Sequence, residues 1–194
     1  MPALRICHIG RAEKAGSTWQ RLERASELGF DTILAEPGVA GDAFATLARA
    51  CKSRGLSLFF DLNLFELDMH HALVVRYPES FAIRRRGEPG EVVDPRHPSP
   101  GRGQACLRET SDPTPLIDWW ADQIGGWLKA GVRGFRMVKP ASTNTSVREG
   151  VVQHAAHQGS NRVTFIADTT GEPWDRVAAL KGFDLCLSSL PWWG

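Results

Sequence analysis

The stretch IDWWADQIGGWLKAGVRGFRMV, residues 117 to 138, shows the chain's building block once and in full. Ile117 to Ala130 spaces its apolar residues as one face of a helix, Gly131 stands where a helix ends in a left-handed residue, and Val132 to Val138 is a short, nearly continuous apolar strand. The same unit recurs on both sides. Upstream it runs Trp19 to Leu28, Gly29, then Thr32 to Ala35, and again Phe44 to Ser53, Gly55, then Leu56 to Leu62. Downstream a weaker copy pairs the helix Val147 to His157 with the strand Val163 to Ala167, and a last one runs Trp174 to Lys181, Gly182, then Leu185 to Leu187. Leu4 to Ile9 supplies one more strand before the first helix.

Strands that are apolar on both faces and separated by helices predict a parallel sheet. Right-handed crossovers then bring every strand's C-terminal end to one edge, where loops carry chemistry. The edge residues are His8 to Arg11, Glu36, Asp61 to Glu66, Val138 to Pro140, Asp168 to Thr170 and Ser188 to Trp193. An open doubly wound sheet would also take six strands. However, the segment after the first strand, Gly10-Arg11-Ala12-Glu13-Lys14-Ala15-Gly16, has neither dinucleotide nor P-loop spacing. A closed β/α barrel has eight strands and roughly 250 residues. The expectation is therefore one α/β domain over residues 1–194, an incomplete parallel β/α barrel of the TIM type with about six β/α units. A long loop rich in Pro, Gly and Arg follows the third strand, at about residues 67–115. Its basic residues Arg84, Arg85, Arg86, Arg96, Arg102 and Arg108 could gather an anion, but a solvated surface loop is the expected reading.

The composition is that of an ordinary globular chain, 23% charged and 42% hydrophobic with a formal net charge of +1. No global field draws it to nucleic acid or to an anionic membrane. It has no apolar run of about 18 residues and no leader-like start, so a cytoplasmic protein is expected. Cys7, Cys51, Cys106 and Cys186 are scattered, and His70-His71 is the one adjacent histidine pair, which gives no zinc signature. No metal and no cofactor are expected, and the cysteines are expected to be buried and reduced.

The strand ends also carry a resemblance. Gly131-Val132-Arg133-Gly134-Phe135-Arg136 resembles the fourth-strand signature of the α-amylase family, glycoside hydrolase family 13. Asp61-Leu62-Asn63-Leu64-Phe65-Glu66 lies where that family has its third-strand motif, and Tyr77-Pro78-Glu79-Ser80-Phe81 resembles the segment that follows it. Asp118-Trp119-Trp120 onward to Arg136, Phe165-Ile166-Ala167 and the final stretch from Phe183-Asp184 to Trp192-Trp193 look most like the amylase-like domain of bacterial maltosyltransferases. Those enzymes extend α-glucans. The resemblance implies an α-glucan or malto-oligosaccharide ligand, and it covers nearly the whole chain with the strands in order.

The family's retaining chemistry uses a carboxylate nucleophile and a second carboxyl about 5–5.5 Å away that protonates the leaving oxygen, and the family adds a third acid. The nucleophile follows the fourth-strand Arg by two residues, which here is Val138, followed by Lys139. The position of the acid/base Glu holds Asp168, one methylene shorter. Glu172 is a second carboxylate nearby, though beside Pro173 it reads as the acidic start of a helix. The third acid belongs to a seventh strand, and the six strand units stop short of it. In the third-strand motif, Phe65 and Glu66 stand where the family has Asn and a sugar-binding His. The segment Glu36 to Asp42 after the second strand is also shorter than in amylase relatives.

Each residue also has a plainer reading. Asp61 and Arg136, at the ends of neighbouring strands, are expected to form a buried ion pair that shapes the rim. Asp168 is either the catalytic acid or the cap of its own turn with Thr169 and Thr170. Trp119 and Trp120 are expected in the core, while Trp192 and Trp193 at the rim fit either sugar stacking or exposure by lost neighbours. Ser188, Ser189 and His8 form no triad, because no nucleophile elbow accompanies them. The sequence thus favours a vestigial, non-catalytic α-amylase-like domain with residual α-glucan binding through Asp61, Arg136 and Trp192. Two rivals remain. One is an active α-glucan hydrolase or transferase using Asp168 with a carboxylate from Asp94 or another subunit. The other is an interaction domain, a homodimer or a half completed by the remainder of a barrel, because open strand edges seek cover.

Overall fold

The computed structural model describes residues 4–11, 15–37, 41–84, 104–158 and 162–187. Trp192, Trp193, Ser188, Ser189, Asp94, Arg85, Arg86, Arg96 and Arg102 lie outside the described residues.

Six strands form one parallel sheet. They are β1 (Ile6–Arg11), β2 (Thr32–Glu36), β3 (Ser57–Leu62), β7 (Gly134–Val138), β8 (Thr164–Asp168) and β9 (Leu185–Leu187), in that spatial order. The helices between them are α1 (Ala15–Glu27), α2 (Gly41–Lys52), α4 (Thr114–Ala130), α5 (Thr145–Gln158) and the short α6 (Trp174–Ala178). The sheet curls into a half-barrel, an incomplete TIM barrel, as the repeated unit predicted. Gly29, Gly55, Gly131 and Gly182 all have positive φ, as the recurring helix, Gly, strand pattern requires.

Three expectations need correction. Of the four cysteines expected to be buried, Cys51 and Cys106 are, but Cys7 is half-buried and Cys186, on the last strand of the sheet, is exposed. The first strand runs from Ile6 to Arg11 rather than Leu4 to Ile9, with a bulge between His8 and Gly10 where it pairs with β2. The stretch expected as a long loop contains a second, antiparallel sheet of β4 (Glu66–Asp68), β6 (Gln104–Leu107) and β5 (Phe81–Arg84), in the order β4-β6-β5. Between β4 and β5 lie α3 (Ala72–Arg76) and a 3-10 turn at Pro78–Ser80. Strands of three or four residues are too short to show a period in sequence. They hold because Leu67, Phe81, Ala105 and Leu107 are buried in the main core.

Alternation along the parallel strands sorts the side chains into two faces. Ile33, Ala35, Leu58, Phe60, Leu62, Phe135, Met137 and Phe165 join the large core under the helices. Leu34, Phe59 and Ile166 point the other way and form a second cluster with Leu4, Ile6 and Leu185. Phe59 fills this inner face by lying across Gly134, where an added Cβ would stand 2.6 Å from the Phe59 ring and 2.6 Å from the Thr164 carbonyl. Moving one or two positions along the same inner-facing rows, past this apolar layer to the C-terminal edge, brings the chain to Glu36, Asp61, Arg136, Val138 and Asp168.

Candidate functional site at the C-terminal rim

The sheet register places Asp61 beside Arg136, and Val138 beside Asp168. Arg136 donates from Nε to Asp61 Oδ1 at 2.6 Å and from Nη2 to Asp61 Oδ2 at 2.8 Å, a two-pronged contact suited to the planar guanidinium. Its third nitrogen, Nη1, lies 3.6 Å from Asp168 Oδ2. The Arg136 and Asp61 side chains are only 14% and 11% exposed. Burial alone pushes the Arg136 guanidinium down. The hydrogen bonds that Arg136 donates to Asp61 and the charges of Asp61, Asp168 and Glu36 outweigh it and hold the group above its ordinary value.

Asp168 is buried and doubly engaged. Besides facing Arg136, its Oδ1 accepts from the Thr170 hydroxyl at 2.7 Å and from the Thr170 amide at 3.4 Å. The turn-capping reading is thus what the local geometry shows, with Thr170 as the partner. Thr169 instead ties the turn to β9, donating its amide and its hydroxyl to the Leu187 carbonyl at 2.8 and 2.9 Å. On the far side, the β1 bulge aims His8 so that its Nε2 lies 3.5 Å from Asp61 Oδ2. The rim therefore carries one continuous polar chain, His8 to Asp61 to Arg136 to Asp168 to Thr170, drawn from four strands.

The sequence paired Asp61 with Arg136 and offered Thr170 as a turn partner of Asp168, but did not link His8 to that chain. His8 was set aside because no serine nucleophile joined it, and its link to Asp61 depends on a bulge that leaves no local signal. Val138 is half-buried at the rim and offers no group that could attack a sugar. Lys139, next along, has φ of +49°, rare for a residue with a side chain. It donates to Glu66 Oε2 at 2.9 Å, joining the rim to β4 of the small sheet. Glu66 is thereby committed to an ion pair.

The small sheet is fastened at two more points. Asn144 donates to Glu109 Oε2 at 2.6 Å while its Oδ1 caps α5 by accepting from the Val147 amide. His71, which caps α3 by accepting from the Leu73 amide at Nδ1, packs against Trp119 and Trp120 of α4, with ring centroids 5.3 and 6.2 Å away. Trp120 is buried and Trp119 packs against the core, as expected of that pair. Glu172 lies 3.8 Å from Arg176 in the turn leading to α6. Of the arginines expected in a solvated loop, Arg108 is exposed. Among the described residues no three His, Cys, Asp or Glu side chains gather as a metal site, and no helix is long and apolar enough to cross a membrane.

No family model matches the chain. It is 23% identical over 183 residues to the alpha-1,4-glucan:maltose-1-phosphate maltosyltransferase of Burkholderia pseudomallei (strain K96243), a match that covers 87% of this chain and 16% of that protein. The chain thus spans about a sixth of the length of that curated relative. Among solved structures it superposes on an α-amylase from Lactobacillus plantarum with a TM-score of 0.69 at 14% identity, covering 94% of this chain and 52% of that one. A noncanonic maltogenic α-amylase from Thermotoga neapolitana gives 0.64 at 16% identity, covering 95% and 49%. An α-galactosidase from Thermus thermophilus gives 0.64 at 14% identity, covering 96% and 44%. The chain has the fold of an incomplete TIM barrel like those of these α-amylases, and in sequence it is similar to a maltosyltransferase.

Proposed function

We propose that this chain is an α-amylase-like half-barrel that binds α-glucan without cleaving or transferring it. The observation that carries this reading is the state of the rim. Val138 occupies the position that the family resemblance gives to the nucleophile, Asp61 is hydrogen-bonded twice by Arg136, and Asp168 accepts from Thr170 and faces the Arg136 guanidinium at 3.6 Å. A covalent glycosyl intermediate needs a carboxylate free to attack, so its loss removes the route rather than slowing it. The test is phosphate release from maltose 1-phosphate in the presence of glycogen. No turnover is expected. A rate near one per second, well inside the ordinary enzyme range, would overturn the reading.

A second reading is favoured by the sheet edges. Among the described residues, β1 and β9 each pair on one side only, and Cys186 and Leu187 of β9 are exposed. Unpaired strand edges invite pairing with another chain. In this reading the half-barrel works as an interaction domain, either as a homodimer or with a separate half. Light scattering over a concentration series separates the two, since a monodisperse monomer at every concentration excludes self-assembly.

A further inference from the structure

We propose that Trp174 is a stacking platform for an α-glucan chain, set beside the rim on the turn that follows β8. This rests on the α-glucan reading above and names the residue that would serve it.

The first observation is exposure. Trp174 is 76% exposed, whereas Trp19, Trp119, Trp120 and Trp127 are buried or half-buried. A bare indole leaves a large apolar face in water, and a flat ring of this kind suits the apolar face of a sugar, with its N–H free to reach a hydroxyl. The second observation is place. Helices of a parallel β/α unit begin at the C-terminal edge of the preceding strand, and Trp174 is the first residue of α6. The third is the rigidity of its mount. The turn between Asp168 and Trp174 is tied by the Thr170 contacts to Asp168, by the two Thr169 bonds to Leu187 and by the Glu172 amide donating to the Thr169 carbonyl at 3.1 Å. Pro173 then holds an extended N-cap at φ −61° and ψ 144°, and its carbonyl accepts from the Val177 amide. A backbone mount fixed before the ligand arrives leaves only the indole's own rotamers to be ordered on binding.

Chain geometry sets the reach. The Thr169 to Glu172 turn brings its ends within ~7 Å, so Trp174 lies within about 18 Å of Asp168. Glu172 and Arg176 stand two residues to either side of the indole and lie 3.8 Å from each other, and the Arg176 guanidinium is exposed and can reach sugar hydroxyls. The platform does not draw on the Asp61, Arg136 and Asp168 chain, so it can bind where that chain is closed on itself. A ligand touching both regions is an oligosaccharide, and affinity should grow with its length.

The experiment is calorimetric titration of the full chain and its Trp174→Ala and Trp174→Phe variants with maltose and maltoheptaose, with thermal melting to compare the folds. The wild type should bind maltoheptaose more tightly than maltose. Trp174→Ala should weaken maltoheptaose at least tenfold, and Trp174→Phe should weaken it less. Equal affinity of wild type and Trp174→Ala for maltoheptaose would overturn the platform while leaving the α-glucan reading standing. No binding of either sugar by the wild type would overturn the α-glucan reading and the platform with it. Should Trp174→Ala melt early, the tryptophan emission of the wild type decides. A shift on adding maltoheptaose that vanishes in Trp174→Phe supports the platform, and one that persists unchanged overturns it.

Discussion

Arg136→Ala is the sharpest perturbation of the rim. The guanidinium makes two short bonds to Asp61 and faces Asp168, and both carboxylates are nearly buried. Removing it leaves both without their cation and with Glu36 close enough to act on the same site. Breaking one partner of a buried pair costs about 3–5 kcal/mol, and two stranded carboxylates argue for the upper half of that range. Asp61→Asn is milder, because Arg136 keeps Asp168 and the amide oxygen can still accept one bond. It should cost roughly 2 kcal/mol, near the loss of a charged hydrogen bond. The double variant should then cost less than the sum, with a coupling of about 1.5–3 kcal/mol. Urea unfolding of the four proteins measures it. Additivity within about 0.5 kcal/mol would refute the direct pairing, and an Asp61→Asn cost above that of Arg136→Ala would refute the assignment of Asp168 as a second partner.

Two further outcomes follow from the packing. Burial lowers the His71 pKa and Asp68 partly offsets this, so the unfolded chain binds the proton more readily. Its contribution is full above the unfolded value of about 6.5 and is lost as pH falls through the folded one, so stability should decline below that pH. His71→Asn keeps a capping oxygen without titrating and should flatten the decline in melting temperature, whereas an unchanged slope would clear His71 of the effect. Gly134→Ala forces a Cβ against the Phe59 ring and the Thr164 backbone. It should lower stability by about 2 kcal/mol by chemical denaturation, and a loss under about 0.5 kcal/mol would mean that the inner face is looser than described.

What the sequence disclosed and what it hid divide along physical lines. The six parallel strands were legible because each is apolar on both faces and α1, α2, α4 and α6 are each followed by a Gly that the backbone then uses at positive φ. The Asp61 and Arg136 pair was legible because both are charges at the ends of neighbouring apolar strands, where burial demands a partner. The small antiparallel sheet was not, since its strands are three or four residues long and close contacts between residues as distant as Glu66 and Cys106. His8 was hidden for a related reason. Its approach to Asp61 depends on a bulge in β1 and on sheet curl, neither of which has a residue signature nearby. Trp174 was legible only as the start of a helix, because an amphipathic pattern does not say which aromatic the core will leave outside.

The claim that the rim cannot run covalent glycosyl transfer is tested most directly by trapping. The chain is incubated with a fluorinated α-maltosyl fluoride, which reacts with a retaining nucleophile but leaves it slowly, and its intact mass is then measured. The account expects the mass of the unmodified chain, with Val138 offering nothing to attack and Asp61 and Asp168 held by Arg136 and Thr170. A stoichiometric maltosyl adduct mapped to Asp61, Asp168 or any other carboxylate of the chain would contradict it.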